Sequence, residues 1–541
     1  MSDARRQFGG DMALSTEVVQ RWGDGGHGIP VTLQEFLADR GMGAAQPRPA
    51  LDLSEVQVRA SRIPEAEIAD LACGYEYDDL IRLRSSGGFS FIDLCIRRWP
   101  DQPLPAVDVV LLPRTHEDVR RILDLATANH WAVVPFGGGT SVVDGVDVTD
   151  RVTVGVAFWE MTSVLALDLE TGEVRVQPGI GGPDLERWLE ARGFTWGHIP
   201  QSWERATVGG YVATRSAGQT STGFGRADAT VTNLRVATPV ADFDLGRAPG
   251  TAAGPDLKQV FLGSEGSYGI ITEIGLRVRP LPEKKVYEGL LFPNFVAGKR
   301  AFRHLALERV PADMMRLSDA DESAVNLAMS GLSGITKQAF DRYTALRKVA
   351  GGCLAIVGWE GPADVVAVRR AHAYKVFRQF GAARLPATVG RSWEKNRFAA
   401  PYLRDDLLDA GYLVETLETA NEWSQLDATY DAVHRALRSA LGDPLIGTHL
   451  SHIYPTGASL YFTVITPLAD DPVTQWRAAK AAATQALVDT DATITHHHSV
   501  GRDHAPWLVG EVGQSGVDLL RAIKSHVDPD GLMNPGVLGL D

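Results

Sequence analysis

The sequence predicts an α+β protein built from more than one domain, and three observations predict it. Residues 107–139 (VDVVLLPRTHEDVRRILDLATANHWAVVPFGGG) read as strand, turn, helix and strand, closing on three consecutive glycines. Strand signals then dominate to about residue 282, and from about residue 283 strands alternate with long amphipathic helices. At 541 residues the chain is also too long for one core, which sets two to four domains.

The elements follow in order. Residues 1–105 alternate polar stretches with short helical patterns, VTLQEFLADRG and EAEIADLA, and read as an extension lying over a larger body. In residues 106–282, Pro113 and Thr115 mark the entry of a helix carrying Val119, Ile122, Leu123 and Leu125 at helical spacing. The strands VTVGVAF, SVLALDLETGEVRVQPG (turning at Glu170–Gly172), LRVATPV and GIITEIGLRVRPLP complete a glycine-rich α+β domain. Residues 283–490, with helices such as ADVVAVRRAHAYKVFRQFG and SQLDATYDAVHRALRSALG, form a second α/β domain. Residues 491–541 contain a last helix, stopped at Asp528–Pro529.

Composition narrows the function. A net charge of −14 argues against nucleic acid as a partner, while an anionic small substrate needs only local arginines. Three scattered cysteines, Cys73, Cys95 and Cys353, argue against a disulfide framework or structural zinc and fit a reducing cytoplasm. Arg5–Arg6 has the look of a twin-arginine export signal, but no apolar run follows it, so export is not expected. No segment approaches 18 uninterrupted apolar residues.

Residues 132–147, AVVPFGGGTSVVDGVD, carry the chemical signal. Glycine N–H groups can curl into a nest and approach a diphosphate closely, and the hydroxyls of Thr140 and Ser141 add donors. This is not the dinucleotide fingerprint G-x-G-x-x-G, because the glycines lead into a strand rather than a helix. Alone, three glycines more often make only a turn. Two further stretches, WGHIPQSWERATVGGYVATRSAG (196–218) and GSEGSYGII (263–271), add backbone donors, the hydroxyls of Ser202, Thr207, Thr214 and Ser216, and Glu265 as a ribose partner. A flat redox cofactor with a diphosphate tail needs such a distributed cradle.

These blocks, in order and spacing, resemble the FAD-binding (PCMH-type) domain of the vanillyl-alcohol oxidase superfamily, and within it the alkylglycerone-phosphate synthase family. The resemblance runs from about Arg21 to the C-terminus. It implies a two-subdomain FAD-binding domain (106–282), an α/β substrate or cap domain (283–490) and a C-terminal segment (491–541) returning to the flavin. FAD contacts are then expected from Pro135, Phe136, Gly137, Gly138, Gly139, Thr140 and Ser141; from Gln201, Ser202, Trp203, Glu204, Arg205, Ala206 and Thr207; from Ala213, Thr214, Arg215 and Ser216; and from Glu265, Gly266, Ser267, Tyr268, Gly269, Ile270 and Ile271. Some members attach flavin through a histidine in the first loop. Here that loop holds glycines, so non-covalent FAD is expected.

Catalytic candidates lie later. In GASLYFTVITP (457–467) a strand places Ser459, Tyr461 and Thr463 on one face, which suits a cavity wall or, more blandly, a solvent side. TITHHHSVGRDH (493–504) places His496 and His498 on one face of a strand and His497 on the other. Without H-E-x-x-H or a carboxylate at suitable spacing, no metal is expected, and proton transfer suits histidine better. Arg316 and Arg404 can hold an anion or an electron-rich ring, or merely form surface ion pairs. His452 and Tyr454 precede Tyr461 closely enough to share its cavity. The resemblance implies that Tyr461 handles a proton, that the three histidines are an active-site trio, that Arg316 is essential and that Arg404 binds substrate.

The implied reaction is a non-redox use of flavin. A base removes a proton from C1 of acyl-dihydroxyacetone phosphate, flavin N5 replaces the departing fatty acid, and a fatty alcohol then displaces the flavin, giving an ether lipid. One departure favours an alternative. The tail DPDGLMNPGVLGLD carries Asn534–Pro535–Gly536, which looks more like FAD-linked dehydrogenases or oxidases of alcohols and 2-hydroxy acids. A flavin-binding protein without catalysis is a third reading, disfavoured by the cluster of ionisable residues. The resemblance also implies a homodimer and peripheral membrane contact, although no strongly basic amphipathic helix supports the latter.

Overall fold

The structure, a computed structural model, describes residues 19–23, 28–42 and 45–541; Arg5–Arg6 lie outside them. Three large sheets organise the described residues, beside a two-stranded one that pairs Phe194–Thr195 with Arg279–Pro280. The first runs Gly74–Glu76, Val109–Leu112, Thr153–Ala157, Ala132–Phe136 in spatial order, the last three strands parallel. The predicted strand–helix–strand is present: Val109–Leu112, helix His116–Asn129, Ala132–Phe136. Thr115 opens that helix with a capping box closed by Asp118, and Val119, Ile122, Leu123 and Ala126 bury one stripe against the sheet. Between the parallel neighbours Ala132–Phe136 and Thr153–Ala157 the chain crosses as a loop, residues 137–152, not as the usual helix.

The second sheet runs Val164–Asp168, Glu173–Val176, Ile270–Arg277, Val231–Ala237, Asp242–Leu245, all antiparallel. Its core takes Leu185 and Leu189 from helix Gly182–Glu190, and also Leu508, Val517, Val527 and Val537 from the C-terminal segment. That segment therefore packs on the glycine-rich body, and Met533 bridges Val133 of the first sheet.

The third sheet has seven strands: Ala383–Arg384, Lys284–Phe292, Cys353–Gly361, Met314–Ser318, Leu445–Ile453, Gly457–Pro467, Tyr412–Glu422. Helices Phe295–Leu307, Ala363–Gln379, Leu426–Leu441 and Pro472–Val488 cover one face through Phe302, Phe377, Val433 and Trp476. Phe89 and Phe91 of the N-terminal extension enter this same core, so the extension is clamped to the large sheet. One expected helix is absent: EAEIADLA forms only a 3₁₀ turn, Glu65–Glu67. Ile63 and Ile68 both bury in the first core, and five residues apart they would point to different sides of an α-helix. Among the described residues no helix is long and apolar enough to cross a membrane.

Candidate active site

A cavity of about 420 Å³ lies between the glycine loops and the large sheet. Its first wall is the expected cradle. Pro135, Gly137 to Ser141, Gln201, Ser202, Ala206, Thr207, Ala213, Thr214, Ser216, Glu265, Gly266, Gly269 and Ile271 all line it. The loops are pressed together so tightly that side chains have no room. A Cβ on Gly138 would drive into the carbonyl oxygen of Arg205 and stand 2.8 Å from the Ala206 Cα, and Gly139 holds φ +61°. Behind this nest the fully buried Arg84 donates to the Gly138 carbonyl at 2.7 Å, and burial pushes its pKa down to about 9.

Other cradle residues turn their side chains elsewhere. Phe136 packs beneath the loop on Trp159, Ile270 in the first core, and Trp203 over Gly182. Glu204 accepts from the Tyr402 hydroxyl, and Arg205 lies over the rings of Trp22 and Phe89. Arg215, Ser267 and Tyr268 donate to the carbonyls of Leu262, Ser264 and Leu520. Glu265 also holds two segments together. Its carboxylate accepts from the N–H of Val500 and Gly501, tying down the C-terminal segment, and burial lifts its pKa to about 7. It fastens the two segments together while still lining the cavity. Asn534 of the unusual tail completes the knot, donating to the carbonyls of both Gly145 and Glu265.

The opposite wall is set by strand register. Glu418, Tyr461 and His449 sit directly opposite one another on three adjacent strands, which puts their side chains on one face. Tyr461 is stacked against His449 at 4.8 Å and 21°, and against His497 at 6.1 Å and 18°. Burial pushes its hydroxyl up to about 12. A β-bulge between Ser451 and Ile453 turns His452 into the cavity at φ +46°.

The histidine trio is not on a strand, contrary to expectation. It wraps around the buried Glu418, whose carboxylate accepts from the N–H of His496, His497 and His498 and from the Thr495 hydroxyl at 2.7–3.0 Å. Three successive backbone donors on one acceptor cannot coexist with strand pairing. Burial alone would raise Glu418, but the neighbouring His497 and its hydrogen bonds hold it well below the carboxylate range. Burial pushes His496 and His498 down to about 3, leaving them neutral. His496 pairs through Nε2 with the Tyr454 hydroxyl at 2.6 Å and through Nδ1 with His497. His452, His496 and His497 bring ring nitrogens within 4.8 Å of one another. His497 and His498 line the cavity, and His496 stands behind them.

Both arginines reach the cavity. Arg316 donates to Glu322 at 2.8 Å, and the same carboxylate oxygen meets His449 Nδ1 at 2.9 Å. Arg404 donates from Nη1 to the Phe89 carbonyl at 2.7 Å; its buried Nε has no partner among the described residues, and Nη2 stands 3.9 Å from Asp405. Trp22, Phe89, Met314, Met315 and Trp393 supply an apolar rim. Sequence reading passed over these, and over Glu418 and Glu322. The alternation of THLSH beside Tyr461 was the one available signal for His449.

The FAD binding domain family matches residues 107–242, and the family of C-terminal domains of FAD linked oxidases matches residues 281–538. Alkyldihydroxyacetonephosphate synthase of Trypanosoma brucei brucei is 32% identical over 86% of this chain and 76% of its own length. The chain belongs to the alkyldihydroxyacetonephosphate synthase family. The synthase of Dictyostelium discoideum is 30% identical over 85% of this chain and 77% of its own. A solved structure of an alkyldihydroxyacetonephosphate synthase superposes at TM-score 0.81 with 26% identity, covering 99% of this chain and 98% of that one. As a family member the chain is an FAD-dependent enzyme with a PCMH-type domain. The residues fit that cofactor: the nest accepts no Cβ, and the buried Gln201 Nε2 on the cavity wall has no partner among the described residues.

Proposed function

We propose that this synthase-family chain exchanges the acyl group of an acyl-dihydroxyacetone phosphate for a long-chain alcohol, with no net redox change. The observation that carries the reading is Tyr461, a phenol stacked against two imidazoles and facing a cavity that also holds Arg404 with spare N–H groups. A proton-handling cluster beside an anion clamp suits removal of a proton next to a phosphate-bearing ketone. The glycine nest and Gln201 would hold FAD, which when bound supplies a ring nitrogen able to bond the deprotonated substrate carbon in place of the acyl group. The protein's own groups do the rest. Arg404 holds the phosphate, the rim of Trp22, Phe89 and Met314 takes apolar chain, and Tyr461 moves the C1 proton to and from His497.

FAD binding is non-covalent in this reading, because Cys73, Cys95 and Cys353 are buried away from the cavity and the first loop offers no histidine. Homodimerisation and peripheral membrane contact belong to the same reading, checked by light scattering and vesicle flotation. The deciding experiment supplies acyl-dihydroxyacetone phosphate and 1-hexadecanol anaerobically. Release of fatty acid with ether formed, and flavin absorbance back at its starting level, supports exchange. Stoichiometric bleaching by simple alcohols or 2-hydroxy acids, with no acid released, refutes it in favour of an oxidoreductase.

A further inference from the structure

We propose that His449, backed by Glu322, is a second proton station of this site and takes the proton of the incoming alcohol. The inference rests on the exchange reaction above. In that exchange the bond from C1 to the acyl oxygen breaks, its electron pair leaving on the carboxylate, and a bond from C1 to the alcohol oxygen forms. One proton leaves C1 and returns there, while a second leaves the alcohol oxygen. No electrons are gained or lost overall. The two protons have different origins and different destinations, so one acceptor serving both would have to be emptied between steps.

The cavity holds two carboxylate-backed imidazoles, each stacked against the same phenol. His497 meets Glu418 at 3.2 Å, and His449 meets Glu322 at 2.9 Å. The Tyr461 ring is within 25° of parallel to each. With Nδ1 of His449 donating to Glu322, its lone pair lies on Nε2, the tautomer a base requires. Glu322 is itself fixed by Arg316.

Position assigns the roles. His497 belongs to the segment that Glu265 fastens to the glycine cradle, three and four residues on at Val500 and Gly501. His449 lies on the strand Leu445–Ile453, paired with Met314–Ser318, whose Met314 lines the cavity on the same face. A long-chain alcohol lying along that wall brings its hydroxyl to His449, whereas C1 of the ketone lies nearer the cradle.

The test uses holoenzyme in D₂O with acyl-dihydroxyacetone phosphate, with or without 1-hexadecanol, reading deuterium at C1 and ether formed. His449→Asn should keep FAD and keep C1 exchange within about threefold of wild type while ether formation falls about 100-fold or more. His497→Asn should lose C1 exchange. In His449→Ala, added imidazole should restore ether formation without changing C1 exchange, a response that a structural role would not give. If the Asn variant fails to fold, the Ala variant with imidazole decides. His449 variants that lose both readouts in parallel, or keep both, overturn the inference alone. A wild type that releases no acid overturns the exchange reaction itself, and the inference with it.

Discussion

Replacing Gly138 by alanine tests the cradle directly. A Cβ there would stand 2.8 Å from the Ala206 Cα, where 3.4–4 Å is ordinary contact, and closer still to the Arg205 carbonyl oxygen. Both neighbours are backbone, so the loops must part by 0.6 Å or more, and no flexible side chain can absorb the strain. A hydrogen bond near 2.9 Å stretched by that amount reaches about 3.5 Å and is effectively lost. One charge-assisted bond from the nest to a diphosphate contributes about 1.5–3 kcal/mol. Losing one therefore weakens FAD binding roughly 10- to 150-fold. The assay is titration of the apoprotein with FAD, followed by quenching of flavin fluorescence. A dissociation constant within about threefold of wild type would show that the nest does not hold the diphosphate.

Three further outcomes are expected. Tyr461→Phe should retain FAD while ether formation falls about 10²- to 10⁴-fold, the usual range for removing a proton-transfer group; loss of the flavin spectrum instead would make the tyrosine structural. Arg404→Met should raise KM for the phosphate-bearing substrate about 10- to 100-fold with a smaller change in kcat, since it removes a charged hydrogen bond to the ground state as well as the transition state. Stability should fall in acid. His198, His434, His496, His498 and His504 are held at about 3–4 by burial, so from pH 6.5 downward the unfolded chain takes up protons that the folded chain refuses. Glu265 and Asp319, raised to about 7 by burial, act in the opposite sense between pH 7 and 4.5, where the folded chain takes up their protons first. Five histidines against two carboxyls leave a net uptake on unfolding of about one proton at pH 6.5, rising to about three near pH 5, so the loss steepens to about 4 kcal/mol per pH unit at the lower end, read from urea midpoints between pH 6.5 and 5.

What could be read from sequence was local. The glycine stretches announce close backbone approach wherever they fold, and all three stretches line the cavity. Alternation in residues 457–467 correctly put Tyr461 and Thr463 on one wall, because strand pleating is a property of the segment itself. What escaped was set by distant partners. The histidine loop takes its shape from Glu418, 78 residues upstream of His496, and nothing within THHHS encodes that. Glu265 looks like a sugar ligand from its place in a glycine loop, yet its carboxylate meets N–H groups 235 and 236 residues away. His449 could have been found from Tyr461, but only once the two strands were known to pair in that register.

The Asn534 knot has a consequence for biogenesis. Its side-chain amide joins the carbonyls of Gly145 and Glu265, the first contact spanning 389 residues of chain. The adjacent Met533 bridges Val133 in the strand that leads into the glycine nest. During synthesis the two glycine loops emerge hundreds of residues before the amide that braces them. Contacts of such long sequence separation close late in folding. The nascent protein thus presents an unbraced cradle until the ribosome has delivered residue 534, and firm flavin capture becomes a post-translational event that finishes the fold.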